Sequence, residues 1–157
     1  MSGFVQKYTI DQHSTSILDV GSMNCHPNRG AGSTYKELFD SAEYTGLDLD
    51  AGPNVDIVAS VPYVWPIADC SFDVVISGQC LEHVEAPWFW IKEVARVCQS
   101  PGLVIVIAPW RWAEHKRPVD CWRILPDGMK FLLEYAGLEV VEYGKSNKDC
   151  YGVAKKP

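Results

Sequence analysis

The sequence predicts an α/β fold, a seven-stranded, mostly parallel sheet with helices on both faces and an antiparallel hairpin formed by its last two strands. Three observations lead there. Seven strand-like runs rich in Val, Ile and Leu follow one another along the chain. Helical segments stand between most of them, as crossover units require. The last two runs are separated by too few residues for a crossover.

The first run, Ile17 to Val20, ends at Gly21, as a buried parallel strand does on reaching a tight turn. Thr34-x-x-Glu37 has the spacing of a capping box and predicts a helix start. The second run, Tyr44 to Leu47, leads into DLDAGPN, a turn where a larger domain would place a helix, and the third run follows at Val55 to Ala59. After the fourth run, Phe72 to Ser77, Pro87 suits a first helical turn. The fifth run is Leu103 to Ala108. PDGMKFLLEYAG then reads as a helix stopped by Gly137. Leu138 to Tyr143 and Tyr151 to Lys155, separated only by Gly144 to Cys150, complete the sheet as a hairpin.

A chain of 157 residues with 47% apolar side chains can bury one substantial core, so residues 1–157 are read as a single domain. No apolar run reaches the roughly 18 residues needed to span a bilayer, and the first residues lack a basic flank followed by an apolar core. A cytoplasmic protein without a membrane role is expected. The cysteines at 25, 70, 80, 98, 121 and 150 form no C-x-x-C pair and several lie in apolar runs, which predicts reduced, buried thiols. A net charge of -6 opposes binding to a phosphate backbone, so nucleic acid is not an expected partner.

In an open sheet of this kind ligands gather at the carboxyl ends of the strands. Asp19, Gly21, Ser22, Asp48, Leu49, Ser60, Val61, Ser77, Gly78 and Gln79 all fall there and form the candidate cofactor pocket. Asp48, 29 residues after Asp19, can accept hydrogen bonds from both hydroxyls of a ribose. That alone fits a nicotinamide dinucleotide. The first turn separates the two readings, because a dinucleotide needs G-x-G-x-x-G to bring backbone amides to its phosphates. Here Gly21 is followed by SMNCHPN. A nucleoside carrying a sulfonium and an amino acid needs no phosphate cradle, and Asp19 would favour its positive charge. The residues point to S-adenosyl-L-methionine.

Five stretches in order resemble the small class I S-adenosylmethionine-dependent methyltransferases, in the compact type 11-like branch often linked to sugar metabolism. They are ILDVGS, YTGLDLDAGPNVDIV, SFDVVISGQCLEHV, SPGLVIVIAP and EHKRPVDCWRILPDGMKFLLEYAGLEV, spanning about Ile17 to Ala154 with the following strand. The resemblance implies a Rossmann-like fold, S-adenosyl-L-methionine as cofactor and Asp48 as the ribose acid. Two departures stand out. The family often has an acid near the adenine where this chain has Ser60-Val61, so recognition there falls to the Ser60 hydroxyl, backbone amides and apolar contacts from Val61 or Ile67. The first loop has one early glycine, with Gly30 and Gly32 arriving late.

About fifteen residues precede the first strand where the family commonly has thirty or more, so the acceptor falls to Gln79 to His83 and to the connection PWRWAEHKRPVDCWRIL. Arg111, Lys116, Arg117 and Arg123 there face only Glu114 and Asp120, a local positive excess that suits an anionic or sugar-containing small molecule. His115 and His83 are the candidate general bases, and Arg123 the candidate positioning contact. The alternative for Arg123 is a plain pair with Asp120. Gln79, Glu82 and His83 have the spacing of a Glu-x-x-Glu-His metal site known in some related O-methyltransferases, but a Gln replaces the first carboxylate and is a poor ligand, so no metal is expected. The leading expectation is O-methylation of a sugar or sugar-linked metabolite, with a homodimer supplying any missing wall. The alternative is a catalytically silent S-adenosylmethionine-binding module that regulates a partner.

Overall fold

Side chains on successive strand residues point to opposite faces, so continuous apolar runs need cover on both sides. In the computed structural model, which describes residues 15–25, 34–39 and 42–157, the runs become β1 (Ser16–Val20), β2 (Glu43–Asp48), β3 (Ile57–Val58), β4 (Phe72–Gly78), β5 (Cys98–Pro109), β6 (Glu139–Ser146) and β7 (Asp149–Lys156). They lie in the order β3-β2-β1-β4-β5-β7-β6. The first five are parallel, and β7 is antiparallel to both β5 and β6. The hairpin turns at Asn147, whose φ of 55° is the left-handed conformation that tight hairpin turns need. β3 is shorter than the five-residue run predicts. Only Leu47 and Asp48 pair with it, and Val58 is exposed, so the edge has no second face to bury.

Two helices, α1 (Pro87–Val97) and α2 (Pro126–Tyr135), each begin with a proline in the first turn. Gly137, at φ +79°, follows the end of α2. Trp90, Ile91 and Val94 of α1 and Met129 and Leu133 of α2 pack in one cluster with Leu18, Val75, Val104 and Val106. The alternate residues Ile17, Val74, Ile76, Leu103, Ile105 and Ile107 form a second cluster on the opposite face. Among the described residues both α-helices therefore lie on one face. The other is covered by Tyr35, Leu38, Phe39 and Tyr44. The helix expected from Thr34 is a single 3-10 turn, Tyr35–Leu38, because the Thr34 side chain makes no cap bond and no residue of the turn is fully buried.

The cysteines need a correction: Cys98 and Cys150 are buried, but Cys25, Cys70 and Cys121 are exposed, since they lie in turns and loops outside the strands. No helix among the described residues is long and apolar enough to cross a membrane. Strand order reverses between β1 and β4, which opens a crevice above their carboxyl ends.

Candidate active site

At the end of β1 the Gly21 and Ser22 amides both donate to the Leu47 carbonyl, at 2.9 and 3.1 Å, closing the turn. Gly21 has φ +79°, and a Cβ there would lie 2.5 Å from the Cβ and 2.6 Å from the Sγ of Cys80. The glycine is thus required by the backbone and by Cys80, and not by the ligand alone as the sequence implied. The Ser22 hydroxyl donates to the Asn54 carbonyl at 2.8 Å, and the buried Ser77 hydroxyl donates to the Val20 carbonyl at 2.7 Å. Both were expected at the cofactor. Their hydroxyls brace the turn from inside. Gly78 admits the Tyr35 hydroxyl, which would lie 2.0 Å from any Cβ there. Gly30 and Gly32 of the first loop lie outside the described residues.

Asp48 ends β2 half-buried. Its Oδ2 accepts from the Met23 amide at 2.9 Å and its Oδ1 from the Leu49 amide at 2.7 Å. A carboxylate offers about four acceptor positions, so capacity for two ribose hydroxyls remains. The Ala59 amide donates to the Asp48 carbonyl at 2.8 Å, bringing Ser60 and Val61 beside Leu49. Leu49 is 46% and Val61 54% exposed, an apolar rim next to a carboxylate. That acceptor beside an apolar rim fits adenosine.

Asp19 is buried beneath this edge, where the Tyr44 hydroxyl donates to its Oδ2. Burial pushes its pKa up to about 7, the Tyr44 hydrogen bond opposes the rise, and the charge of Asp48 adds to it. The Tyr35 hydroxyl is pushed up by burial first and then by the charges of Asp19, Asp149 and Glu82. Several carboxylates converge on one poorly solvated crevice, which favours a cationic ligand.

Gln79 sits after β4 at φ 59°. Its Nε2 donates to Asp149 at 3.0 Å, while its buried Oε1 has no hydrogen-bond partner. This orphaned acceptor lies at the same edge, where an ammonium or hydroxyl would satisfy it. Trp112 Nε1 also donates to Asp149, at 3.1 Å.

The short turn Leu81–His83 comes next, and the connection after β5 folds back onto it. The Cys121 and Trp122 amides donate to the Glu82 carbonyl at 2.7 and 3.2 Å, and Trp122 Nε1 donates to the Val84 carbonyl at 2.7 Å. His83 Nδ1 lies 2.6 Å from the Val119 carbonyl. The two candidate bases are thereby brought together, with the His83 and His115 rings 5.0 Å apart. Arg123 takes the role of a brace. Its guanidinium bonds Asp120 through Nη1 and Nη2 at 2.6 and 2.7 Å, and bonds the Trp112, Trp122 and Ala113 carbonyls at 3.0, 2.7 and 2.9 Å. All five donors are engaged, leaving none for an acceptor anion. Asp120 also accepts from the His115 amide at 2.6 Å, and the Arg123 bonds hold its carboxyl well below the usual range.

Sequence reasoning missed Glu82 as a site residue in its own right. It is fully buried, and neither carboxylate oxygen has a hydrogen-bond partner. Burial pushes its pKa up to about 7. The signal was a glutamate in the run CLEHV, flanked by apolar side chains. Asp149, Tyr35 and Tyr44 were also missed, because β7, the turn Tyr35–Leu38 and β2, which carry them, meet only in three dimensions.

The sequence model of a family described as "Methyltransferase domain" matches residues 18–106. No curated protein matches. Among solved structures, similarity extends to a SAM-dependent methyltransferase from Aquifex aeolicus, at 17% identity and TM-score 0.68, covering 98% of this chain and 88% of that one. The 1,6-didemethyltoxoflavin-N1-methyltransferase from Burkholderia thailandensis, solved with 1,6-didemethyltoxoflavin and S-adenosylhomocysteine, is 16% identical with TM-score 0.74, covering 99% and 76%. A putative methyltransferase from Haloferax volcanii, in complex with the Trm112 methyltransferase activator, is 14% identical with TM-score 0.75, covering 99% and 88%.

Proposed function

From the premise that the chain belongs to the methyltransferase-domain family and is a class I S-adenosylmethionine-dependent methyltransferase, we propose that it methylates an oxygen of a small polar acceptor, a sugar or sugar-linked metabolite. One observation carries the proposal: the aromatic, basic connection Trp110 to Arg123 folds onto the turn after β4, beside the cofactor edge. Trp110 is flanked by Arg111, 5.9 Å from its ring, and by Lys145, 4.2 Å from it. Two cations gathered over one aromatic ring suit an acceptor that carries anionic groups. A cleft of about 300 Å³ lies in the same connection, lined by Trp112, Glu114, Asp120, Cys121, Trp122 and Arg123. The Burkholderia neighbour supports a small-molecule acceptor, being solved with one beside S-adenosylhomocysteine.

When bound, S-adenosylmethionine supplies a methyl group already activated by its sulfonium. The chain's own work is then positioning. Asp48 takes the ribose hydroxyls, Leu49, Ser60 and Val61 flank the adenine, and Gln79 Oε1 with the Asp19 field faces the cationic end. Gly21, Ser22, Ser77 and Gly78 set the backbone of that edge. His83 and His115 face the acceptor. Orientation contributes an effective molarity of about 10⁵ to 10⁸ M, whereas proton removal adds about 10² to 10⁴-fold, so positioning dominates. Residues 1–157 act in this reading as one domain.

Calorimetric titration with S-adenosylhomocysteine tests the cofactor half. The parent protein binds, and Asp48→Ala weakens binding by about 1.5 to 3 kcal/mol, the loss expected for hydrogen bonds to a charged acceptor. Equal affinity in the variant would remove Asp48 from the ribose site. Transfer of labelled methyl to a panel of sugars and nucleotide sugars tests the acceptor half. A protein that binds the cofactor and labels none of them would favour a regulatory module.

A further inference from the structure

The side chains of Glu82, His83 and His115 converge. Glu82 is fully buried with both carboxylate oxygens unpartnered. His83 Nδ1 is 2.6 Å from the Val119 carbonyl, and His115 Nδ1 is 3.1 Å from the Ala113 carbonyl. A carbonyl can only accept, so each Nδ1 carries the ring hydrogen and each Nε2 presents a lone pair. Those Nε2 atoms lie 3.7 and 3.6 Å from the same Glu82 oxygen, Oε1. One ligand atom from each of the three residues falls within 4.8 Å of the others. Two lone pairs and a carboxylate aimed at one another need a shared proton or a metal cation among them, and three such ligand atoms around one point suit a metal ion.

We propose that Glu82, His83 and His115 form a binding site for a divalent transition-metal ion, which clamps the connection Trp110 to Arg123 onto the turn after β4. Ligands about 2.0 to 2.2 Å from a tetrahedral ion stand about 3.3 to 3.6 Å apart, close to the observed spacings. Backbone carbonyls holding the far nitrogen of each imidazole are the usual outer support of a metal-ligating histidine. Two imidazoles and one carboxylate select Zn²⁺, Co²⁺ or Fe²⁺ over Mg²⁺ or Ca²⁺. Gln79 keeps its amide nitrogen on Asp149, and His115 from the connection supplies the third ligand atom. Asp120 and Arg123 neutralise each other beside the cluster, so the single Glu82 charge and a divalent ion leave one positive charge for an oxygen donor at the open position. The ion-binding claim stands on the ligand geometry. Its catalytic consequence, that the histidines hold the acceptor oxygen through the ion, rests on the methyl-transfer reading.

The test uses the whole 157-residue chain stripped of metal by chelation. Titration with Zn²⁺ by calorimetry, and with Co²⁺ by visible absorption, gives one tight equivalent. His83→Ala, His115→Ala and Glu82→Gln each lower Zn²⁺ affinity at least about tenfold. Circular dichroism identifies any variant that fails to fold, and His115→Asn, on the surface connection, then decides. Zn²⁺ also slows trypsin cleavage after Lys116 in the parent but not in His115→Asn. Absence of stoichiometric binding, or binding unchanged by His115→Asn, overturns the site. S-adenosylhomocysteine titration of the metal-free chain separates this outcome from failure of the cofactor reading, since its affinity is expected within about threefold of the loaded form.

Discussion

Asp19 lies among Tyr44 and Asp48 of β2 and the Tyr35 hydroxyl, with its carboxyl pushed up to about 7 by burial. A carboxyl whose folded pKa exceeds its unfolded value of 3.8 binds its proton more tightly in the native state. It therefore stabilises the fold below about pH 4, and that contribution is lost as pH rises through about 7. Asp19→Asn, which keeps an acceptor for Tyr44, should unfold at higher temperature than the parent at pH 8, by roughly 1 to 3 kcal/mol of stability, with the difference fading toward pH 4. The same variant should bind S-adenosylhomocysteine more weakly. A melting difference independent of pH would mean that Asp19 stays ionised in the fold. Gly21 gives a second test. Because a side chain there meets Cys80 as well as an unfavourable φ, Gly21→Val should lose native circular dichroism. A fully folded Gly21→Val that merely fails to bind would return the glycine to the ligand.

Among elements, the connection between β5 and α2 is where sequence and structure differ most. Its basic excess was legible, but the partners of its charges were not. Arg123 and Asp120 are three residues apart, and only the folded loop brings the Trp112 and Ala113 carbonyls to the same guanidinium. Arg123→Lys should not rescue Arg123→Ala, since an ammonium cannot supply a planar fork of donors. Both should lose about 1 to 3 kcal/mol of stability in denaturant titration. His115→Ala should instead leave S-adenosylhomocysteine affinity within about threefold and lower methyl transfer at least tenfold once an acceptor is known. The strands were legible because β-branched runs such as VVIS and VIVIA between turn residues have few alternative states. β3 and the helix expected from Thr34 were overestimated, because propensity counts residues and not the face available to bury them. For Ser22 and Ser77 the sequence shows the place and not the partner: a hydroxyl at a strand's carboxyl end can serve the backbone as well as a ligand, and each donates here to a carbonyl, of Asn54 and of Val20.

Across the whole molecule, the carboxyl ends of the five parallel strands share one edge, where apolar rim, acid and histidine stand in order from β3 to β5. Asp48 and Leu49 lie on one side of the switch between β1 and β4, and Glu82, His83 and His115 lie on the other. A cofactor bridging that switch would reach from adenosine at the first to its reactive end near the second. The measurement that tests this most directly is a crystal structure of the chain with S-adenosylhomocysteine. The account predicts ribose hydroxyls on Asp48, adenine against Leu49 and Val61, and the sulfur turned toward the Glu82, His83 and His115 cluster. A ribose held elsewhere, or a sulfur pointing away from that cluster, would contradict it.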